Sequence, residues 1–221
     1  MSPNKRKQID AIIQLLFDKY KPLHTDIPQC QMNCLVSPGF PILWFGDLDL
    51  YFSSASEKAI SIGVNPSSRE FSKGKRGCFK RFPKIEYSNH LTPPENYCEQ
   101  LNHYFENEPY SWFEKGDNSV SLYEGYKNKG LIHIDCCSTI GTKPSWGGLC
   151  APLKKRLRDD NVEVFQRMLR FLGPKKVYLA SSKAEQQYII DACQSVLGKR
   201  FNSFADINKY LNINKPSSVL Q

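Results

Sequence analysis

The sequence predicts a single α/β domain in which helices flank a central, mostly parallel, four-stranded sheet. Three observations carry this expectation. The runs KAISIGV (58–64), GLIHID (130–135) and KKVYLA (175–180) are short, apolar and rich in β-branched residues, as buried strands are. Segments with helical spacing lie between and after them, so strand and helix alternate along the chain, which favours parallel pairing through crossovers. A chain of 221 residues can bury one full core, and residues 1–221 are read as one domain with a helical N-terminal extension over 1–40.

Residues 5–20 place Ile9, Ile12, Ile13, Leu16 and Tyr20 on one helical face. A polar, proline-containing loop follows, then an aromatic, alternating stretch from Leu43 to Phe52. The first buried strand stops at Asn65-Pro66-Ser67-Ser68, a turn signal. Residues 72–95 are loop-like and rich in Lys and Arg, and 96–106 suggest a short helix. After the second strand comes a polar turn through Gly141, Pro144 and Gly147, in which Trp146 reads as a cap on the core. NVEVFQRMLRFL (161–172) is strongly amphipathic and ends at Gly173-Pro174, a helix stop. The third strand leads into a helix over 182–197. In sheets of this kind the functional loops gather outside the carboxyl ends of the strands, here Asn65, Asp135 and Ser181.

The formal net charge of +8 and the pI near 9.0 favour a polyanionic partner, because Lys and Arg that neutralise phosphates release condensed counterions. No segment approaches the apolar length of a membrane span. MSPNKRKQIDAIIQLLF reads as a surface helix rather than a secretory signal, so a cytoplasmic or nuclear address, no membrane contact and a monomer are expected. The sequence has no phosphate loop of the Walker type, although another α/β enzyme acting on an anionic substrate stays open.

Gly63-Val64-Asn65-Pro66-Ser67-Ser68, placed directly after a buried strand, matches in form the Gly-x-Asn-Pro water-binding motif of the uracil-DNA glycosylase superfamily. GLIHID ends in Asp135, where members of that family carry the residue that reads the flipped base. Lys215-Pro216-Ser217-Ser218-Val219-Leu220 stands where they carry a late Pro-Ser loop. In the order of these elements, residues 40 to 218 resemble that superfamily. The resemblance implies a monofunctional DNA glycosylase without metal or cofactor, acting on double-stranded DNA with one nucleotide flipped out. It makes Asn65 and Lys215 the catalytic candidates, and Gly63, Val64, Pro66, Ser67, Phe79 and Asp135 the base-binding ones. Phe79 is the expected stacking aromatic, with Phe71 and Phe82 as rivals. Lys75, Arg76, Lys80, Arg81, Ser217 and Ser218 are the expected DNA contacts, the basic ones within a cluster that also holds Lys73 and Lys84.

Two departures from the uracil pattern bear on substrate. Ser67 stands where the fast uracil enzymes have a Tyr that blocks C5 of the ring, so a 5-substituent has room. Asp135, when ionised, accepts hydrogen bonds and suits the N4 amino group of a cytosine. A 5-modified cytosine is therefore expected ahead of uracil, in base-excision repair or in defence against phage with modified DNA. The alternative is a module of the same fold that binds nucleic acid without catalysis. His133, alternating with Ile132 and Ile134, reads as a structural histidine.

The eight cysteines, Cys30, Cys34, Cys78, Cys98, Cys136, Cys137, Cys150 and Cys193, contain no CxxC pair that would mark a zinc site. Cys30 and Cys34 with Cys78 and Cys98 leave an iron–sulfur cluster open, although their spacing does not match the glycosylases that carry one.

Overall fold

The computed structural model describes residues 1–54, 58–114, 119–128, 130–179 and 183–197. The fold is of the mixed helix and strand class that the sequence predicts. Its sheet, among the described residues, has three parallel strands rather than four: β1 (Ala59–Gly63), β2 (Ile132–Asp135) and β3 (Lys176–Leu179), in the order β2-β1-β3. Beside β2, where a further strand could add, stands a single bridge. Phe45 N–H donates to His133 O at 2.9 Å and His133 N–H to Phe45 O at 3.0 Å. The alternating stretch cannot continue as a strand because Asp47 caps a helix, its Oδ1 accepting from Asp49 N at 2.8 Å and Leu50 N at 3.0 Å.

The helices are α1 (Pro3–Tyr20), α2 (Gln29–Met32), α3 (Leu48–Ser53), α4 (Tyr97–Asn102), α5 (Ser119–Asn128), α6 (Ala151–Leu172) and α7 (Lys183–Leu197). The apolar face of α1, from Ile9 to Tyr20, is buried and packs against α6, so the N-terminal segment shares the main core and is no appendage. Helix α6 begins ten residues before the amphipathic run that signals it, at Ala151 rather than Asn161. Leu153 and Leu157 continue the buried stripe, but the charges of KKRLRDD (154–160) around Leu157 blur the period. Lys155–Asp159 and Arg156–Asp160 pairs, at 2.5 and 2.7 Å, brace that exposed half. The helix ends at left-handed Gly173 with Pro174 beyond it, as predicted.

The sheet's register fixes which side chains share a face. Ser61 pairs with His133 and Gly63 with Asp135, so these four residues lie on one side. Ile60, Ile62, Ile132 and Ile134 form the other and are almost wholly buried. Ser61, His133 and Asp135 are also buried, which puts a polar face inside the protein. Beyond the strand ends, Cys136 N–H donates to Gly63 O at 3.0 Å and Cys137 N–H to Val64 O at 2.9 Å, tying the two loops together. No helix among the described residues is long and apolar enough to cross a membrane.

Candidate active site

A cavity of about 200 Å³ opens at the carboxyl ends of β1 and β2. Its lining takes Gly63, Val64, Asn65, Pro66 and Ser67 from the first loop, then Glu70, and His133 and Asp135 from β2. Phe45, Tyr110, Trp112 and Phe113 complete it with aromatic rings. Six of the eight base-binding and catalytic candidates, Gly63, Val64, Asn65, Pro66, Ser67 and Asp135, are thus brought together.

Asn65 is held in one orientation. Its Nδ2 donates to Pro66 O at 3.0 Å, to Thr142 Oγ1 at 3.0 Å and more weakly to Ile140 O at 3.5 Å. Two of these partners are carbonyls, which accept only, so the flipped amide would set oxygen against oxygen. Among the described residues no hydrogen bond uses Oδ1, which leaves it as an acceptor for a ligand. Thr142 is itself fixed by bridges to Ser67 and Leu35. A turn that looks generic in sequence is therefore a rigid mount.

Gly63 makes room for the polar side chains of β2. A Cβ there would lie 2.3 Å from Asp135 Oδ1 and 2.8 Å from both Cε1 and Nε2 of His133, distances at which no real Cβ sits. His133 Nε2 stands 3.4 Å from Asp135 Oδ1, and its Nδ1 lies 2.6 Å from Ser61 Oγ. Ser61 Oγ in turn meets the Tyr126 hydroxyl, so a polar chain runs from Tyr126 to Asp135. The imidazole is enclosed by Phe113, Trp112 and Phe45, with ring centroids at 5.1, 5.5 and 5.6 Å. His133 is thus a cavity residue as well as a structural one. Period-two alternation places it on the Asp135 face, but only the missing Cβ of Gly63 opens that face to a cavity.

Glu70 carries no signal in the sequence as a site residue. Ser67-Ser68-Arg69-Glu70 has the spacing of a capping box, and Ser67 does cap the short 3₁₀ turn 68–71, accepting from Arg69 N at 3.2 Å. Glu70, however, turns inward. It is 2% exposed, and its Oε2 accepts from the Tyr104 hydroxyl at 2.6 Å and lies 3.7 Å from Arg81 Nε. Burial pushes its carboxyl up to about 7, against the pull of the Tyr104 hydrogen bond and the Arg81 charge, with Asp135 pushing further upward.

Two expected contacts need correction. Phe79 does not line the cavity. It is fully buried against Phe40, Phe71 and Tyr87, at centroid distances of 5.3, 5.9 and 5.0 Å, and its rivals Phe71 and Phe82 are core residues too. Besides Phe45, the rings that reach the site come from 110–113, where Tyr110, Trp112 and Phe113 crowd a polar loop; Trp112, 43% exposed, stands at the mouth. Arg81 is not presented to solvent as a phosphate contact. Its Nη1 donates to Arg69 O at 2.5 Å and Ser72 Oγ at 3.3 Å, while Nε faces Glu70. Lys80 is exposed but pairs with Glu108 at 2.8 Å. Lys75 and Arg76 are exposed and, among the described residues, in no ion pair. Lys215, Ser217 and Ser218 lie outside the described residues.

All eight cysteines are free thiols, and among the described residues no cluster of three or more His, Cys, Asp or Glu side chains is placed to hold a metal ion. The arrangement can seat a small planar ligand between aromatic rings, offering it an amide acceptor, an imidazole and two carboxyl groups. No protein-family model matches the chain, and neither a curated protein nor a solved structure is significantly similar to it.

Proposed function

We propose that this protein is a monofunctional DNA glycosylase of the uracil-DNA glycosylase type, which flips out a pyrimidine and hydrolyses its N-glycosidic bond. The observation that carries the reading is the convergence of Asn65, Asp135 and an aromatic wall on one small cavity at the ends of adjacent parallel strands. At about 200 Å³ the cavity is below the roughly 300–1,000 Å³ of sites for drug-sized ligands, and suits a single base. Flipping costs a few kcal/mol, and stacking on rings such as Trp112 and Phe113 returns about 1–3 kcal/mol per base.

In this reading Asn65 Oδ1 holds the water that attacks the anomeric carbon, and its locked amide keeps that water in line as oxocarbenium character develops on the sugar. Asp135 accepts from the exocyclic amino group of a cytosine, with His133 steadying its carboxylate. Ser67, small and half-buried at the cavity wall, leaves space beside C5. These two positions favour a 5-modified cytosine over uracil. Lys75 and Arg76 supply backbone contacts to the duplex.

The test is incubation with duplexes carrying uracil, 5-hydroxymethylcytosine or glucosylated cytosine, followed by alkaline cleavage at abasic sites. Strand breaks at a pyrimidine, lost by about 100-fold or more in Asn65→Ala with DNA affinity kept, support the proposal. Asn65→Ala working at the wild-type rate sinks the role of the motif. DNA binding with no base released from any duplex makes the protein a non-catalytic module instead.

A further inference from the structure

A water that bonds to a glycosidic carbon must give up a proton, and a side chain that accepts it speeds the step; Asn65 cannot be that acceptor. A neutral amide can orient a water but has no useful basicity. The cavity holds two carboxyl groups. Asp135 is engaged at the floor with His133 Nε2. Glu70 is the other, and its surroundings are hard to explain by packing alone.

Its Oε2 is fixed from behind. Tyr104 donates its hydroxyl proton to Oε2 at 2.6 Å while accepting Tyr110 N–H at 2.9 Å, so the phenol has one available direction for its proton. Among the described residues Oε1 has no hydrogen-bond partner, although the side chain is buried and lines the cavity. Oε1 is therefore open to the cavity, where it can accept a hydrogen bond from a water or a ligand. Anchoring Arg81 is a weak alternative. That guanidinium is already bound by Arg69 O and Ser72 Oγ, and its Nε, 3.7 Å from Glu70, makes no hydrogen bond.

We propose that Glu70 is the general base of this site, taking a proton from the water that Asn65 orients; this rests on the glycosylase reading. As the water oxygen bonds to the anomeric carbon, the carbon–nitrogen bond to the base breaks and its electron pair leaves with the base. One water proton passes to the Glu70 carboxylate, the other remains as the sugar hydroxyl, and the base anion is neutralised by a proton from solvent. Glu70 then returns its proton to solvent, so the enzyme ends unchanged. The charged and titratable groups around Glu70 are Arg81 and Arg69 on its own side of the cavity, Tyr104 and Tyr110 behind it, and Asp135 and His133 across it. The upward push of burial to about 7 means both protonation states are populated near neutrality, the condition in which a general base works best.

The experiment measures single-turnover base release by wild type, Glu70→Gln and Glu70→Ala from about pH 5.5 to 8.5, on the duplex the wild type cleaves fastest. Expected is a wild-type rate that climbs with pH through about 7 and levels off. Glu70→Gln, nearly isosteric and still able to accept from Tyr104, should lose about 100-fold or more and lose that pH step. Glu70→Ala should regain about tenfold with formate or azide, small anions that fit the space vacated and replace the base. A Glu70→Gln rate near that of wild type, or a slow variant that keeps the pH step, overturns the assignment. Wild type that releases no base from any duplex removes the glycosylase reading and this assignment together. An active wild type with unimpaired Glu70→Gln removes the assignment alone.

Discussion

Gly63 and Asp135 are register partners at the ends of β1 and β2, and Asp135 Oδ1 occupies the space where any other residue at 63 would place its Cβ. Gly63→Ala should therefore push the carboxylate and His133 out of position inside a closed site. The expected cost is about 1–3 kcal/mol of stability, with base release lost. Urea unfolding of Gly63→Ala, Asp135→Ala and the double variant checks it. If the clash is the cause, the double variant should be more stable than the sum of the single losses by about 0.5 kcal/mol or more. Additive losses would mean that the strand ends relax freely.

Substrate choice should respond to two side chains on separate walls. Asp135→Asn should move preference toward uracil, because the amide can donate to O4 while still accepting from N3–H. A mismatch of this kind costs on the order of 1–3 kcal/mol, a tenfold or larger change in relative rate. Ser67→Tyr should remove activity on 5-substituted bases and spare small ones, by steric exclusion. Competition between uracil and 5-hydroxymethylcytosine duplexes reads both effects, and an inert Asp135→Asn in a protein that already prefers uracil ends the cytosine argument.

DNA affinity should fall with salt, and the slope should depend on which basic residue is changed. Lys75 and Arg76 stand exposed and, among the described residues, in no ion pair, whereas Lys84 is paired with Glu99 and Lys80 with Glu108. Reversing Lys75 and Arg76 together should flatten the dependence of log K on log salt by about one unit for each phosphate no longer neutralised. Reversing Lys84 should change it less. Equal slopes for all variants would place the DNA on another surface.

Glu70 should make the protein less stable as pH rises. Its carboxyl titrates near 7 in the folded state against 4.5 for an unperturbed glutamate, so the folded protein holds a proton that the unfolded chain releases. Stability then falls as pH climbs from about 4.5 to about 7 and is constant above, with a total contribution of about 3 kcal/mol. Glu70→Gln lacks this titration. Its stability relative to wild type should rise by about that amount between pH 4 and pH 8, as read by denaturant unfolding at both. A difference independent of pH would show that the Glu70 carboxyl titrates normally.

The three strands, the α1 stripe, the Gly173-Pro174 stop and the loop that carries Asn65 were legible from the residues alone. These rest on local causes: a period of two or 3.6, continuous burial, and the turn chemistry of Asn, Pro and Gly. Because each strand run ends where polarity begins, local pattern places Asn65 and Asp135 at the strand ends, and the family resemblance makes them candidate site residues. That they meet is a matter of long-range pairing, since it depends on β2 joining β1 in the register that sets Gly63 beside Asp135. The tertiary structure also chose among the aromatics. Phe79 and Trp112 both stand in polar loops, and nothing local tells that one closes over Phe40 and the other edges the cavity. Glu70 makes the same point for charge. Its spacing from Ser67 is that of a helix cap, but a buried Tyr104 hydroxyl thirty-four residues away offers a hydrogen bond that draws the carboxyl inward. The edge beside β2 obeyed the same rule: Asp47 captured the two N–H groups after it for a helix, and the alternating stretch before it meets β2 in a single bridge.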